Sequence, residues 1–242
     1  MGTSRVRDLT RNHSSAQLDI ADRQVAELAE IWPTAFDPED IKRSVVRLTR
    51  DLEELIGEGR ERSTDRAAQY IKDVREREFV REHGPIRREE RIDKRRLERL
   101  LTYSVAITPA RSLRMGREYE RAARDALVQT GGVITREVMA GGRQTIHKTI
   151  KDDPVAKGYR RVLKSAEPCE FCIMLATRGP AYSKDTAYFE AHTACRCSAE
   201  PVYSKWEPDQ REQELIEQFE EAGSFEDFRQ MHRSDRHGRN GN

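Results

Sequence analysis

The chain's 242 residues suffice for one large domain or two small ones, so a buried core requires neither disulfides nor oligomerisation. Charged residues make up 36% of it, the same share as hydrophobic ones, and a chain that polar must carry long helices with solvated faces or bury its apolar area on partners. Lys and Arg total 44 against 43 Asp and Glu, and the resulting net charge of +1 excludes a global field drawing the protein onto nucleic acid or membrane.

The start, MGTSRVRDLTRNHSS, lacks the apolar core of a signal peptide, and the apolar stretches fall far short of the ~20 residues needed to cross a bilayer. The expectation is a protein made and kept in a reducing cytoplasm, or one that leaves it inside a larger particle. Leu18, Ile20, Val25, Leu28 and Ile31 predict a first helix over 14–32, with Pro33 as its stop. Asp37-Pro38-Glu39-Asp40 reads as the start of a second helix, with Asp37 as cap, proline in the first position and acids in the first turn. Its apolar side runs through Ile41, Val45, Leu48, Leu52, Leu55 and Ile56. Gly57 and Gly59 interrupt it, Ala67, Tyr70, Ile71 and Val74 resume it, and His83-Gly84-Pro85 ends it.

The run from Arg81 to Arg99 mixes basic residues with five acids, which predicts a solvated helix face laced with ion pairs rather than a one-sided nucleic-acid patch. Ile92, Leu97, Leu100, Leu101 and Val105 give the next helix its apolar side. Beyond Thr108-Pro109 another amphipathic stretch passes Leu113, Tyr119, Ala126, Val133 and Val138, punctuated by Gly131-Gly132 and Gly141-Gly142, which mark bends or close backbone approaches. The texture changes at Asp152-Asp153-Pro154. Tyr159 to Leu163 reads as a strand, Cys195 to Tyr203 as a second, Glu207 to Asp227 as an acidic helix, and Arg229 to Asn242 as a polar tail, disordered when unbound. The fold class is therefore α+β, mainly α. Residues 1–150 form a helical region, 151–206 a small α+β module, and 207–242 the acidic helix and flexible tail.

All four cysteines fall in one window, C-x-x-C, nineteen residues, then H-x-x-C-x-C. Thiols two residues apart can reach one ion from a tight turn, and a second pair on another segment would complete a tetrahedron and close the loop between them. In a reducing compartment, clustered thiols are more often metal ligands than disulfides. The candidate metal ligands are Cys169, Cys172, His192, Cys195 and Cys197, and the candidate ion is a structural Zn2+. Five donors compete for four places, and on a regular strand Cys195 and Cys197 would hold their sulfurs apart, so that one could give way to His192. Two other readings exist: buried or disulfide-paired cysteines without metal, and a cysteine nucleophile with His192 as base. Within the same window a short helix from Cys169 ends at Gly179, turning the chain towards Tyr182, and Arg178 caps it or pairs with Glu170 or Asp185.

The string DPVAKGYRRVLKSAEPCEFCIMLATRGPAYSKD, then HTACRC and the strand ending Pro201-Val202-Tyr203, resembles the Mu F-like minor head proteins of tailed phages, in the form common in phages of actinobacteria. The likeness covers roughly 153–203. It implies a minor capsid or head-morphogenesis protein in the interior of the virion head, assembled in the host cytoplasm. The partners it implies are the portal protein and the major capsid or scaffold proteins, with packaged DNA in some phages and no membrane. Relatives of this kind are also labelled capsid maturation proteases, which makes a protease acting on scaffold or shell the alternative. Ser183, Ser198 and His192 lie in the window, but the sequence holds no nucleophile elbow or metalloprotease helix motif, so no catalytic residue is assigned and an enzyme is the less favoured reading.

Overall fold

The computed structural model describes residues 2–89, 91–164, 168–180, 189 and 191–239, with backbone alone for 2–5 and 233–239. Three long helices carry the molecule: α1 (Gly2–Ala35), α2 (Ile41–Arg77) and α5 (Tyr119–Asp152). Each packs against the other two, burying Leu28, Leu48, Leu52, Ile56, Ile134 and Val138 in a common core. The fold is α+β and mainly α, with a small antiparallel pair, β1 (Gly158–Val162) and β2 (Ser198–Val202), packed against α5.

Several boundaries depart from the sequence pattern, each for a physical reason. Helix α1 begins twelve residues earlier than its apolar period, at Gly2 rather than Ser14, because its first half buries polar groups. His13 stacks on Tyr70 with ring centroids 4.2 Å apart, and Gln17 exchanges hydrogen bonds with Ser63 of α2. Pro33 does not stop it: Trp32 stacks on Phe36 at 4.6 Å, both buried, and this packing holds the last turn through Ala35. The cap of α2 is Asp40, whose carboxylate accepts from Arg43 N–H, while Asp37 accepts from Glu39 N–H outside the helix.

Gly57 and Gly59 lie within an unbroken α2, and both glycine pairs lie within an unbroken α5. The pairs mark close approaches. A Cβ on Gly141 would sit 2.6 Å from the backbone oxygen of Arg60, and one on Gly142 2.6 Å from Gln17 Nε2. Ser63 Oγ, already donating to Gln17, accepts from Gly142 N–H, so α1, α2 and α5 meet in a seam of small and polar residues.

Helix α2 ends at Arg77, and the basic run after it is not a long solvated helix. Up to Asp93 the described residues follow an extended path along α2 and α5. Threonine hydroxyls satisfy its backbone: Arg87 N–H donates to Thr149 Oγ1, Glu89 N–H to Thr145 Oγ1, and Thr64 Oγ1 to the Glu89 carbonyl. Gly84 and Pro85 cannot hold a helix there, and the hydroxyls offer the backbone another set of partners. Helix α3 (Lys94–Thr102) then runs into a π-turn (Tyr103–Ile107) and α4 (Thr108–Arg114), and Arg96 clamps both carboxylate oxygens of buried Glu137 on α5.

After β2 come α7 (Gln210–Ala222), opened by a capping box of Asp209 and Glu212, and α8 (Phe225–Arg239). The tail expected to be disordered is thus helical as far as Arg239. Ser224 caps it by accepting from Asp227 N–H, and buried Phe228 meets Phe219 edge-on. Phe228 stands just before the polar stretch, which has no apolar period of its own, and its contact with Phe219 docks the helix on its neighbour, with His232 stacked on the same ring.

Candidate metal centre

Cys169 is the N-cap of α6 (Glu170–Thr177), and its sulfur accepts from Cys172 N–H at 3.4 Å, so both thiols sit at the same helix end. The helix closes as expected at Gly179, whose positive φ of 60° permits the turn. A Cβ there would lie 2.7 Å from Trp206. Arg178 is its C-cap residue, while Tyr182, Ser183 and Asp185 lie outside the described residues.

The second group of donors arrives on a tight turn. Cys195 N–H donates to the His192 carbonyl, Ala194 takes a left-handed φ of 61°, and Ala194 N–H donates to the carbonyl of Gly132 on α5. A Cβ on Gly132 would lie 2.6 Å from Thr193 Cγ2, which explains a glycine on the core side of a long helix. The strand expected from Cys195 begins only at Ser198. Because Cys195 and Cys197 precede it, the geometry of a regular strand does not separate their sulfurs.

All five donors come together around Cys172. Cys169, Cys172 and His192 form one group within 4.8 Å, Cys172, Cys195 and Cys197 another, and none of the four cysteines is in a disulfide. Cys172 Sγ lies 3.7 Å from Cys195 Sγ and 3.6 Å from His192 Nε2. A tetrahedral ion with bonds of about 2.3 Å to sulfur and about 2.0 Å to nitrogen has edges of about 3.8 Å between sulfurs and about 3.5 Å from sulfur to nitrogen. His192 is oriented for this role: Nδ1–H donates to the Thr193 carbonyl at 2.7 Å, leaving Nε2 to face the sulfurs. Cys169 Sγ is closer to Nε2, at 3.0 Å, a hydrogen-bond separation.

The electrostatics divide the four thiols, lowering Cys169 and Cys195 and raising Cys172 and Cys197. Hydrogen bonds from Cys172 and then His192 pull Cys169 down to about 4, and the bond to Cys169 pushes His192 up to about 9. Hydrogen bonding to Cys172 and Cys197, with buried Arg143 nearby, also lowers Cys195, whereas Cys172 and Cys197, the donors of those bonds, are raised and keep their protons until a cation displaces them. Arg161 Nη1 lies 3.9 Å from Cys172 Sγ and 3.8 Å from Cys195 Sγ. Arg143, also buried, donates from Nε to the Cys197 carbonyl and from Nη2 to the Cys195 carbonyl. Phe189 contacts both guanidiniums, 3.9 Å from Arg161 and 5.0 Å from Arg143. Two buried cations are costly unless anions face them, so the donor set fits an anionic thiolate cluster around a cation.

Arg143, Arg161 and Phe189 were not legible as site residues. The available signal was weak: an arginine four residues after Met139 on a buried face, and two arginines in a short strand. Ser198, a serine of the same window, is buried, with its Oγ 2.6 Å from Ser14 Oγ, and joins β2 to α1.

A family model described as VG15 protein matches residues 4–222. The chain belongs to that family. It is also similar to the Gene 15 protein of Mycobacterium phage D29, 44% identical over 50 residues that make up 19% of this chain and 18% of that protein. The matched stretch therefore spans less than a fifth of the relative. No solved structure matches the chain. Among the described residues no helix is long and apolar enough to cross a membrane.

Proposed function

We propose that this VG15 family member is a minor capsid, or head-morphogenesis, protein of a tailed phage, with a structural and assembly role inside the head. The observation that carries this reading is how the donor cluster is anchored. The backbone bearing Cys195 and Cys197 is clamped by Arg143 and tied through Ala194 to Gly132, both on α5, which suits a staple better than a site that must admit substrate. The likeness of the Cys/His window to Mu F-like head proteins and the phage relative support the same reading. Residues 1–150 then supply charged helix faces for portal, shell or scaffold, 151–206 the stapled module, and 207–242 the acidic helix and its partner α8. Packaged DNA is a further candidate contact.

Zinc is the ion this donor set suits: sulfur and imidazole donors with tetrahedral edges, and no oxygen ligand among the described donors. Bound there, it would supply cross-linking of α6 to the turn before β2. Cys172, common to both groups, would be a ligand, joined by Cys195, His192 and either Cys169 or Cys197.

Quantitative mass spectrometry of procapsids and mature heads, with wild-type phage beside a Cys172→Ser phage, tests the role. The expected result is intact protein at low copy in both wild-type particles, reduced incorporation of the variant, and normal shell processing in whatever heads form. The spacing of Cys169 Sγ and His192 Nε2 also matches a nucleophile and its base, which keeps a maturation protease as a second reading. Uncleaved scaffold or shell in a Cys169→Ala phage that still incorporates the protein would make that second reading the correct one.

A further inference from the structure

Most large apolar side chains are buried, and four of the nine exposed ones among the described residues gather at one place. Tyr103 and Ile107 on the π-turn, Met115 after α4, and Val128 on α5 line a single groove of ≈560 Å³. Val128 is 74% exposed and Met115 63%. The π-turn contributes directly, because inserting an extra residue into a helical turn shifts the side chains that follow it, and such turns occur frequently at functional sites. An apolar strip of this kind costs solubility in the free protein and is the usual mark of a protein interface.

The charges at the rim say what covers it. Four arginines line the groove against one acid, Asp125, which is already engaged by Ser112 Oγ, Arg117 and Arg121. Arg111 and Arg124 have no carboxylate partner among the described residues. A covering segment must therefore present large apolar side chains flanked by Asp or Glu, and a groove between helices takes such a segment most simply as a helix anchored at i, i+3 or i+4, and i+7. The protein's own acidic helix, α7, is a poor candidate from a second copy. Its Leu215 lines a cavity against α1 and α6, and its Phe219 packs on Phe228, so its apolar side is used within its own chain.

We propose that this groove docks an acidic amphipathic helix of another protein, with Val128 and Met115 in the apolar contact and Arg111 and Arg124 pairing with its carboxylates. The inference deepens the assembly reading by giving a partner its chemistry and a place on the helical region.

A photo-reactive benzoylphenylalanine at Val128, in the full chain expressed during phage infection, tests it, with the same group at Val46 on the exposed side of α2 as control. The expected product is one cross-link specific to Val128 that maps by mass spectrometry to a net-acidic segment with helical apolar spacing. Adding Arg111→Glu and Arg124→Glu should cut its yield about tenfold while the thermal midpoint stays put. Overturning outcomes are no specific product, attachment to DNA, attachment to a second copy, a segment without carboxylates, or a yield indifferent to the charge reversal. The two readings fail separately. A chain present in heads but silent at Val128 sinks the docking site alone, whereas a cross-link of the expected kind with the chain absent from heads sinks the head role alone.

Discussion

The helical seam and the Cys/His module solve the same problem by opposite means. Where α1, α2 and α5 meet, stability comes from apolar burial and from glycines that let backbones approach within contact distance. Among its described residues the module has a two-stranded sheet and one short helix, and three of its best buried side chains are cysteines. Such a unit cannot bury enough area to hold itself closed. It leans on α5 through Arg143 and Gly132, on α1 and α2 through a second buried cluster in which Tyr159, Leu175 and Ala199 meet Val6, Tyr70, Ile71 and Val74, and on its donors. The lesson is that one chain can contain a part stabilised by packing alone and a part in which ligation is added to packing, and each should respond to a different perturbation.

The largest expected effect follows from that contrast. Treating the zinc-loaded protein with a chelator, or replacing Cys172 by Ser, removes a contribution that reaches about 10–16 kcal/mol in isolated zinc modules and is smaller where, as here, the surrounding fold persists. Hydrogen exchange should accelerate by orders of magnitude in α6, β1 and β2 while α2 and the middle of α5 stay protected. Uniform loss of protection would show that the two parts are one cooperative unit, and no change at all would remove the metal.

Acid should act on the seam instead. His13 is fully buried against Tyr70, and burial first, then the nearby Arg66, lowers its pKa from 6.5 to about 3. Its ring stays neutral in the fold over that range but takes up a proton once unfolded. The unfolded state therefore binds more protons between these values, and stability falls as pH drops below 6.5, by about 1.4 kcal/mol per pH unit. At pH 5 the loss is about 2 kcal/mol, and His13→Gln, compared with wild type by urea denaturation at pH 7 and pH 5, should have a smaller difference between the two midpoints. Equal differences would mean that His13 is not protected from the solvent proton.

A smaller effect separates the glycines. Gly141→Ala pushes a methyl group to 2.6 Å from the Arg60 carbonyl oxygen, a backbone atom that cannot move aside cheaply. Overpacking of this kind costs about 1–3 kcal/mol, against which the gain in helix propensity is about 1 kcal/mol. The net expectation is a lowered denaturation midpoint, and an unchanged one would mean that α2 and α5 can separate locally without loss.

How much of this was legible depended on where each signal resides. The three long helices and the five donors were readable because apolar periodicity and cysteine spacing are local features of the chain. The early start of α1 was not, since Thr10, His13 and Gln17 are polar residues whose burial depends on Tyr70 and Ser63 sixty and forty-six positions away. The extended run after Arg77 was misread as a helix for the same reason: its partners are threonines of α2 and α5, invisible to any window on the run itself. At the site, the donors were legible and their environment was not. Arg143 and Arg161 approach the sulfurs from a helix and a strand that no spacing rule connects to the cysteine window.

Gly57 gives the smallest effect and the sharpest control on the seam. It sits in the middle of α2 like Gly59, yet nothing lies within 4 Å of where its Cβ would be. Gly57→Ala therefore removes a backbone-entropy cost without a clash and should stabilise the protein by about 0.4–1 kcal/mol, read as a higher urea midpoint at unchanged slope. If Gly57→Ala and Gly141→Ala moved the midpoint in the same direction, close approach would not be what distinguishes the glycines of the seam, and the packing account of the helical region would fail while the ligation account of the module stood untouched.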